Sequence, residues 1–271
     1  MTQRSRFGCG ANVSPLQRKS YDPRSLRLDA RMTRRLSRRA EIPVLDKGFV
    51  RLVDAMGDDA AVVLAARVSY AGGLKGEEQD RKLIHFLLRH QHMTPFEHAI
   101  FKFHCKTPIF VMRQWIRHRA GSFNEKSARY AEAVDEFYFP DKWRAPATAN
   151  KQASRENGRI DSPLADRLLR DNCRQSYAAY QNLLRAGVAR EMARMALPVN
   201  LYTEFYWTVN ARNLMHFINL RADAAAQWEI QKYAEALAEL FKARMPWTWE
   251  AFRLLAWTGK NAEVDGQSSP T

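Results

Sequence analysis

The sequence predicts an α+β fold, in which a small antiparallel or mixed sheet packs against several long helices. Strand-like and helix-like segments both occur, but they do not alternate regularly along the chain, which favours α+β over α/β. The chain has 271 residues, 46% of them hydrophobic, so it can bury a sizeable core. Its apolar runs are all shorter than the roughly 20 residues that a bilayer-spanning helix needs.

Charge is distributed unevenly along the chain, whose formal net charge is +14. Residues 1–40 combine low hydrophobicity with many arginines, which predicts a disordered basic extension. Residues 41–258 are predicted to form a single domain, and residues 259–271 a disordered polar tail. Other interpretations of the extension stay open: a transit peptide, an arm for nucleic acid or anionic lipid, or a start codon upstream of a true start at Met32.

Short-range patterns predict the first elements. Residues 41–56 alternate loosely between apolar and polar, which indicates a strand. Asp58 and Asp59 are suited to capping the Ala-rich segment Ala60–Ser69, which is predicted to be a helix. A second helix is predicted at Glu77–His90 from its i, i+3, i+4 spacing. Its predicted apolar face consists of Leu83, Phe86 and Leu87.

A strand and a helix lead into the most polar stretch of the domain. Phe101, Phe103 and Cys105 alternate with polar residues, which is typical of a half-buried strand. Pro108 fits the first turn of the next helix, because its missing N–H costs nothing there. Residues 109–116 continue that helix as an apolar run.

The second half of the domain is predicted to be mainly helical. Asp141–Ser162 is polar and indicates a surface loop, and Leu164–Ala186 is a long helix that Gly187 can end. A short helix, Arg190–Met195, stops before Pro198. The last predicted elements are a strand, Asn200–Val209, and helices at Asn210–Leu220, at Ala224–Ala243 and from Pro246 onward.

Residues 117–130 concentrate the chemistry of the domain. Arg117, His118 and Arg119 open the stretch, and a guanidinium grips a phosphate through two parallel hydrogen bonds. A solvated basic loop is the alternative, since charge runs usually lie on surfaces. Phe123 and Tyr130 are interleaved with the polar residues, which favours a helix end and loop that bind an anion.

The cysteines and histidines exclude some classes of site. The 3 cysteines are odd in number and lack a CxxC pair, which argues against a disulfide framework or zinc site and favours a reducing cytoplasm. Cys105 and Cys173 are expected to be core residues. The histidines form no HExxH or other usual zinc spacing, so no metal is expected.

Arg117-His118-Arg119, seven residues and then Ser127 is the signature of the flavin-dependent thymidylate synthases. The chain resembles that family from about Val44 to about Leu255. Phe123 departs from the pattern, since many relatives have tyrosine there. Further matching segments are Leu45–Val50, Thr94–His98, Arg190–Arg194, Asn200–Thr203, Trp207–Arg212 and Leu220–Ile230.

The resemblance implies methylation of dUMP to dTMP, with FAD as cofactor, NADPH as reductant and 5,10-methylenetetrahydrofolate as carbon donor. It also implies a homotetramer with active sites at subunit interfaces. Residues that match flavin contacts are Thr94, Arg117, His118, Arg119, Glu125, Asn210, Ala211, Arg212 and His216. Residues that match dUMP contacts are Gln114, Trp115, Ile116, Arg117, Glu125, Lys126, Ser127, Ala128, Arg129, Arg194 and Arg221.

Arg221 matches the family's catalytic arginine, which activates the uracil ring near N3. A fixed guanidinium can stabilise charge that develops at N3 and O4, and it stays protonated at any working pH. Its structural alternative is an ion pair with Asp223. Ser127 is interpreted as a hydrogen-bond donor to the nucleotide, because an activated serine needs an adjacent base.

Two further site residues have structural alternatives. Thr94 could be a helix N-cap. Arg194 lies four residues after Arg190, so both could lie on a solvated helix face. For the whole chain, the alternative function is a basic nucleic-acid-binding protein that uses the arginine-rich arm, residues 1–40.

Overall fold

The computed structural model describes residues 41–70, 72–147, 154–155 and 158–257, and the expectations for residues 1–40 and 259–271 lie outside this part of the chain. The described part is α+β, as predicted. Its main sheet has five strands in the order β1-β2-β3-β7-β4, and every neighbouring pair is antiparallel. The strands are β1 (Glu41–Val44), β2 (Gly48–Met56), β3 (Ile100–Pro108), β4 (Ser122–Glu125), β5 (Ala145–Pro146), β6 (Ser154–Arg155) and β7 (Tyr202–Asn210).

Helices in the described residues agree in place with most of those predicted. Gly187 has φ +84° just beyond the long fourth helix, as expected for a left-handed cap. None of these helices is long and apolar enough to cross a membrane. They are α1 (Asp59–Arg67), α2 (Glu77–Arg89), α3 (Ile109–Trp115), α4 (Ser162–Arg185), α5 (Arg190–Ala193), α6 (Ala211–Arg221), α7 (Trp228–Arg244) and α8 (Pro246–Leu255).

The prediction of one strand over residues 41–56 is wrong. The segment is a hairpin, in which β1 and β2 pair and Leu45 adopts φ +59° in the turn between them. Gly48 opens β2 where a side chain has no room, since an added Cβ would lie 2.0 Å from the Tyr233 hydroxyl. The turn carries no glycine at its left-handed position, so no local pattern marked it.

The core lies between the inner face of the sheet and helices α3, α6 and α7. Phe103 and Cys105 of β3 are fully buried, which confirms the predicted strand face. In the register of the sheet, Phe103 is opposite Trp207 of β7. The indole of Trp115, at the end of α3, contacts the rings of Trp207 and Tyr233. Cys173 is also buried, in a smaller cluster under α4.

The apolar face of α2 differs from the predicted one. Its buried apolar residues are Ile84, Leu87 and Leu88, whereas Phe86 is 48% exposed. The aromatic ring of Phe86 instead lies against the His90 ring, with 4.4 Å between centroids. The spacing of apolar residues in α2 is compatible with two overlapping faces of the helix. The packing of α2 on α8 determines which of the two is buried.

The two aspartates at the start of α1 have different roles. Asp58 caps α1 as predicted and accepts hydrogen bonds from the N–H groups of Ala60 and Ala61. Asp59 is buried and caps the distant helix α8, because its carboxylate accepts from Trp247 N at 2.9 Å, from Thr248 N at 2.9 Å and from the Thr248 hydroxyl at 2.6 Å. Burial raises the pKa of Asp59.

Candidate active site

The ends of two helices bring Arg221 and His118 together. Arg221 is the last residue of α6, and His118 follows α3, where its backbone N–H donates to the Trp115 carbonyl. The Arg221 Nε donates to the His118 Nε2 at 2.9 Å, and its Nη2 donates to the Gln114 carbonyl at 3.3 Å. Helix C-termini favour a cation, so both ends stabilise the guanidinium.

The environment of His118 keeps its ring neutral at pH 7. Burial, the Arg221 guanidinium and His216 together lower the pKa of His118 to about 4. The ring also lies against Phe217, with 4.7 Å between ring centroids. A neutral ring can accept at Nε2, whereas a charged imidazolium would present a donor to Arg221. Burial lowers the pKa of Arg221, but arginine stays protonated in proteins.

The structural alternative for Arg221 is wrong. Asp223 makes no ion pair with it, and its carboxylate instead accepts from Ala225 N at 2.7 Å and shapes the turn after α6. Within the described residues, Arg221 therefore has no carboxylate partner. Its charge is available to a ligand.

A cavity of about 480 Å³ lies beside the polar loop. Five of the predicted dUMP residues line it, on two segments that are distant in sequence. They are Glu125, Lys126, Ser127, Ala128 and Arg194. Their convergence favours a binding role for Arg194 over that of a solvated helix surface.

The charges around this cavity are unequally neutralised. The Lys106 side chain is paired with Glu136 at 2.7 Å, and the Glu125 carboxylate accepts a hydrogen bond from Thr203 at 2.8 Å. Arg113 and Lys126 line the same cavity, and their side chains have no ion-pair or hydrogen-bond partner in the described part of the chain. Arg113 and Lys126 are therefore left to attract an anionic group, while the Glu125 carboxylate, hydrogen-bonded among the described residues only to a neutral hydroxyl, leaves one negative charge beside them.

Arg129 and Arg194 meet at one residue next to this cavity. The Arg129 Nη2 lies 3.4 Å from the Glu191 carboxylate, and the Arg194 Nε donates to the Glu191 carbonyl at 3.3 Å. The Ser127 hydroxyl accepts from Arg129 N at 3.2 Å. No base contacts that hydroxyl among the residues described, so the arrangement offers no activation of Ser127 as a nucleophile.

A second cavity, of about 430 Å³, holds part of the predicted flavin set. Arg212 and His216 line it from α6, together with Gln91 and Met93. Arg212 also pairs with Glu97 at 2.5 Å. This cavity is distinct from the first one, and the described residues do not join the two into one enclosed site.

The remaining flavin candidates are spread over the surface. Arg117 and Arg119 are exposed, and neither side chain has a partner in the described ranges. Asn210 caps α6 by accepting from Asn213 N at 2.9 Å. The N-cap alternative for Thr94 is wrong, because Thr94 opens a short 3₁₀ helix, Thr94–His98, whose N-cap is Met93, and no side chain caps it.

Comparison with known proteins decides the family. The profile of a family described as "Thymidylate synthase complementing protein" matches residues 51–247. The flavin-dependent thymidylate synthase of Thermosipho africanus is 55% identical over 221 residues, which cover 81% of this chain and 96% of the relative. The corresponding protein of Thermus thermophilus is 57% identical over 211 residues, with 78% and 77% of the two chains covered.

The chain belongs to the family of flavin-dependent thymidylate synthases. A solved structure agrees with this assignment. It is that of the UMP/dUMP methylase PolB from Streptomyces cacaoi bound with 5-Br dUMP, at TM-score 0.72 and 38% identity, covering 79% of this chain and 98% of that one.

Two of the residues taken from the family pattern have fully buried side chains. Trp115 and Ala211 are 0% exposed, so neither side chain can contact a ligand in this conformation. The Ala211 N–H is also used, because it donates to the Ala99 carbonyl at 2.8 Å. Ile116, next to Trp115, is 47% exposed and stays available as a dUMP contact.

Lys106, Arg113 and Glu136 are among the residues of the larger cavity that the sequence did not predict. Lys106 and Glu136 form an ion pair on its wall, and Arg113 adds a cation whose side chain is unpaired among the described residues. Arg113 is a charged residue within the largely apolar run of α3, which was a signal that could have been used. The pairing of Lys106 with Glu136 spans two distant segments and left no local signal.

Proposed function

We propose that the protein methylates dUMP to dTMP, with 5,10-methylenetetrahydrofolate as carbon donor and FAD that is reduced by NADPH. The observation that carries the proposal is the convergence of five family-matched residues on one cavity with unpaired cations nearby. Close relatives named for this activity and the dUMP methylase fold support it. The nucleic-acid-binding alternative gains no support from the comparisons, and its arm lies outside the described residues.

The larger cavity is suited to the nucleotide. A phosphate dianion would be attracted by Arg194 and by Arg113 and Lys126, whose side-chain charges are paired with no protein group in the described part. Glu125 would supply an acceptor, held in place by Thr203. Ser127 would donate its hydroxyl proton to the nucleotide.

Arg221 would act on the base. Its guanidinium is fixed by His118 and by the Gln114 carbonyl before any ligand arrives. Charge that develops on the uracil ring at N3 and O4 would be stabilised by a group that needs no reorganisation. This preorganisation is what the protein contributes to the chemistry of an otherwise poor carbon nucleophile.

The exposed residues fit a flavin dinucleotide. The guanidinium groups of Arg117 and Arg119 have no partner among the described residues and suit a diphosphate. Arg212 and His216, which match flavin contacts of the family, line the second cavity. The chemistry that FAD supplies when bound is delivery of a hydride to complete the methyl group. NADPH is assigned as the reductant by the family resemblance.

A homotetramer with shared sites would complete this arrangement. Most of the flavin candidates are exposed in the single chain, and Phe86 is an exposed aromatic residue on helix α2. A partner subunit laid against these surfaces would enclose the cofactor and cover Phe86. The cytoplasmic location expected from the cysteines stays a prediction.

The experiment is an absorption spectrum of the purified, desalted protein, followed by anaerobic addition of NADPH with and without dUMP. We expect flavin bands that bleach faster when dUMP is present, and formation of dTMP once the folate is added. A colourless protein that also fails to take up FAD would contradict the proposal.

A further inference from the structure

The contact between His118 and Arg221 assigns a role beyond ligand binding. We propose that His118 is a positioning residue, whose Nε2 accepts from the Arg221 Nε and so aims the guanidinium at the uracil ring. The inference rests on the proposed function, because it concerns how Arg221 reaches the base. The two ring nitrogens of His118 then have different roles: Nε2 accepts from Arg221, and Nδ1–H is left for a ligand.

The hydrogen bonds of Arg221 define which edge of the guanidinium is free. An arginine has five N–H donors, and here His118 takes one and the Gln114 carbonyl takes another, which leaves three. The three remaining donors are on the two terminal nitrogens. These form the fork that can bind adjacent acceptors, such as O4 of uracil and its N3 once that nitrogen has lost its proton.

The surroundings of His118 fix its orientation and its tautomer. Its backbone N–H is bound to the Trp115 carbonyl, and its ring lies against Phe217 and His216 of α6. Because Nε2 accepts, the neutral ring must carry its proton on Nδ1. The charged or titratable groups that face the ring are Arg221 and His216, and both disfavour a second proton. Nδ1–H is then free to donate to a bound flavin or nucleotide.

Two substitutions separate the two nitrogens. In His118→Gln, the amide oxygen can reach the place of Nε2 and can still accept from Arg221. In His118→Asn, the shorter amide reaches only the place of Nδ1. Both variants alter a flavin-matched residue, so the comparison is between them: we expect kcat for dTMP formation to be about tenfold to a hundredfold higher in His118→Gln than in His118→Asn, as for one hydrogen bond to a charged group.

A double-mutant cycle tests whether His118 acts through Arg221. Lysine has no fork for His118 to aim, so in an Arg221→Lys background the change His118→Asn should have little further effect on kcat. Coupled residues give such non-additive losses, whereas independent ones add. Full additivity of the two losses would overturn the inference.

The readouts keep this inference separate from the proposed function. Flavin content from the visible spectrum and thermal unfolding report binding and folding of each variant, and turnover is compared per bound flavin. If the wild-type protein makes no dTMP, the proposed function fails. If the wild type is active but His118→Gln and His118→Asn have equal kcat, only the positioning role fails.

Discussion

The end of α3 and the loop that follows it make opposite use of their side chains. Trp115 is fully buried, and its ring contacts Phe205, Trp207 and Tyr233. Two residues later, the chain presents the Arg117 side chain with no partner in the described ranges. The buried indole is held by packing within the protein, whereas the loop carries exposed charges that are paired with no protein group among the described residues. Stability and binding are thus separated within a few residues, and each can be changed without the other.

The largest expected effect is on the free energy of unfolding, at the buried Trp115. Trp115→Ala should lower the free energy of unfolding by about 3–5 kcal/mol, because the cavity left among aromatic rings cannot collapse fully. Denaturant unfolding monitored by circular dichroism measures it. Ile116→Ala is the matched control, since Ile116 is 47% exposed, and a comparable loss there would remove the distinction.

The next largest effect is on the rate of dTMP formation, at Arg221. Arg221→Ala should lower kcat for dTMP formation about 100-fold to 1000-fold, as for loss of one preorganised donor, with little change in unfolding. Single-turnover assays with flavin-loaded protein measure the rate. Arg174→Ala, a change to an exposed arginine paired with Asp171, is the control and should leave the rate unchanged. A normal rate in Arg221→Ala would contradict the assignment of this residue.

A smaller effect is expected from a cation of the larger cavity. Lys126→Met should raise the KM for dUMP about tenfold, as for loss of one favourable phosphate contact worth about 1.4 kcal/mol. The salt dependence of KM should also weaken, because one charge fewer attracts the dianion. Lys242→Met, at the exposed end of α7, serves as control. An unchanged KM in Lys126→Met would place the phosphate elsewhere.

The smallest effect concerns pH. The pKa of His118 is about 4 in the folded protein, below its ordinary value of 6.5, so the unfolded chain binds a proton more readily. The stability that this group contributes is complete above about pH 6.5 and is lost as pH falls toward 4. Unfolding curves across this range should show a steeper acid loss for the wild type than for His118→Gln. Parallel curves would indicate that His118 is not held neutral.

Much of the fold could be predicted from local patterns. The alternation of Phe101, Phe103 and Cys105 placed β3 and its buried face, and Gly187 marked the end of α4. Such signals are local, because periodicity and capping depend on residues within a turn or two. The fold class and the positions of most helices and strands could therefore be predicted from the sequence.

The errors arose where a distant contact decides the outcome. The buried face of α2 depends on how that helix meets α8, which exposes Phe86. Asp59 looked like a cap for its own helix, although its partners are at Trp247 and Thr248. In the site, the segment that matches the family's dUMP contacts includes Trp115, whose side chain is buried. A segment match does not state which of its side chains point inward.

The cap that Asp59 provides has a consequence for the order of folding. A ribosome makes the chain from its N-terminus, so α1 emerges long before α8. Until Thr248 has been added, the Asp59 carboxylate lacks its hydrogen-bond donors from α8 and must stay hydrated. The pocket around it can close only when nearly the whole domain has been synthesised. A nascent chain that stops short of α8 therefore lacks the groups that pair with the Asp59 carboxylate.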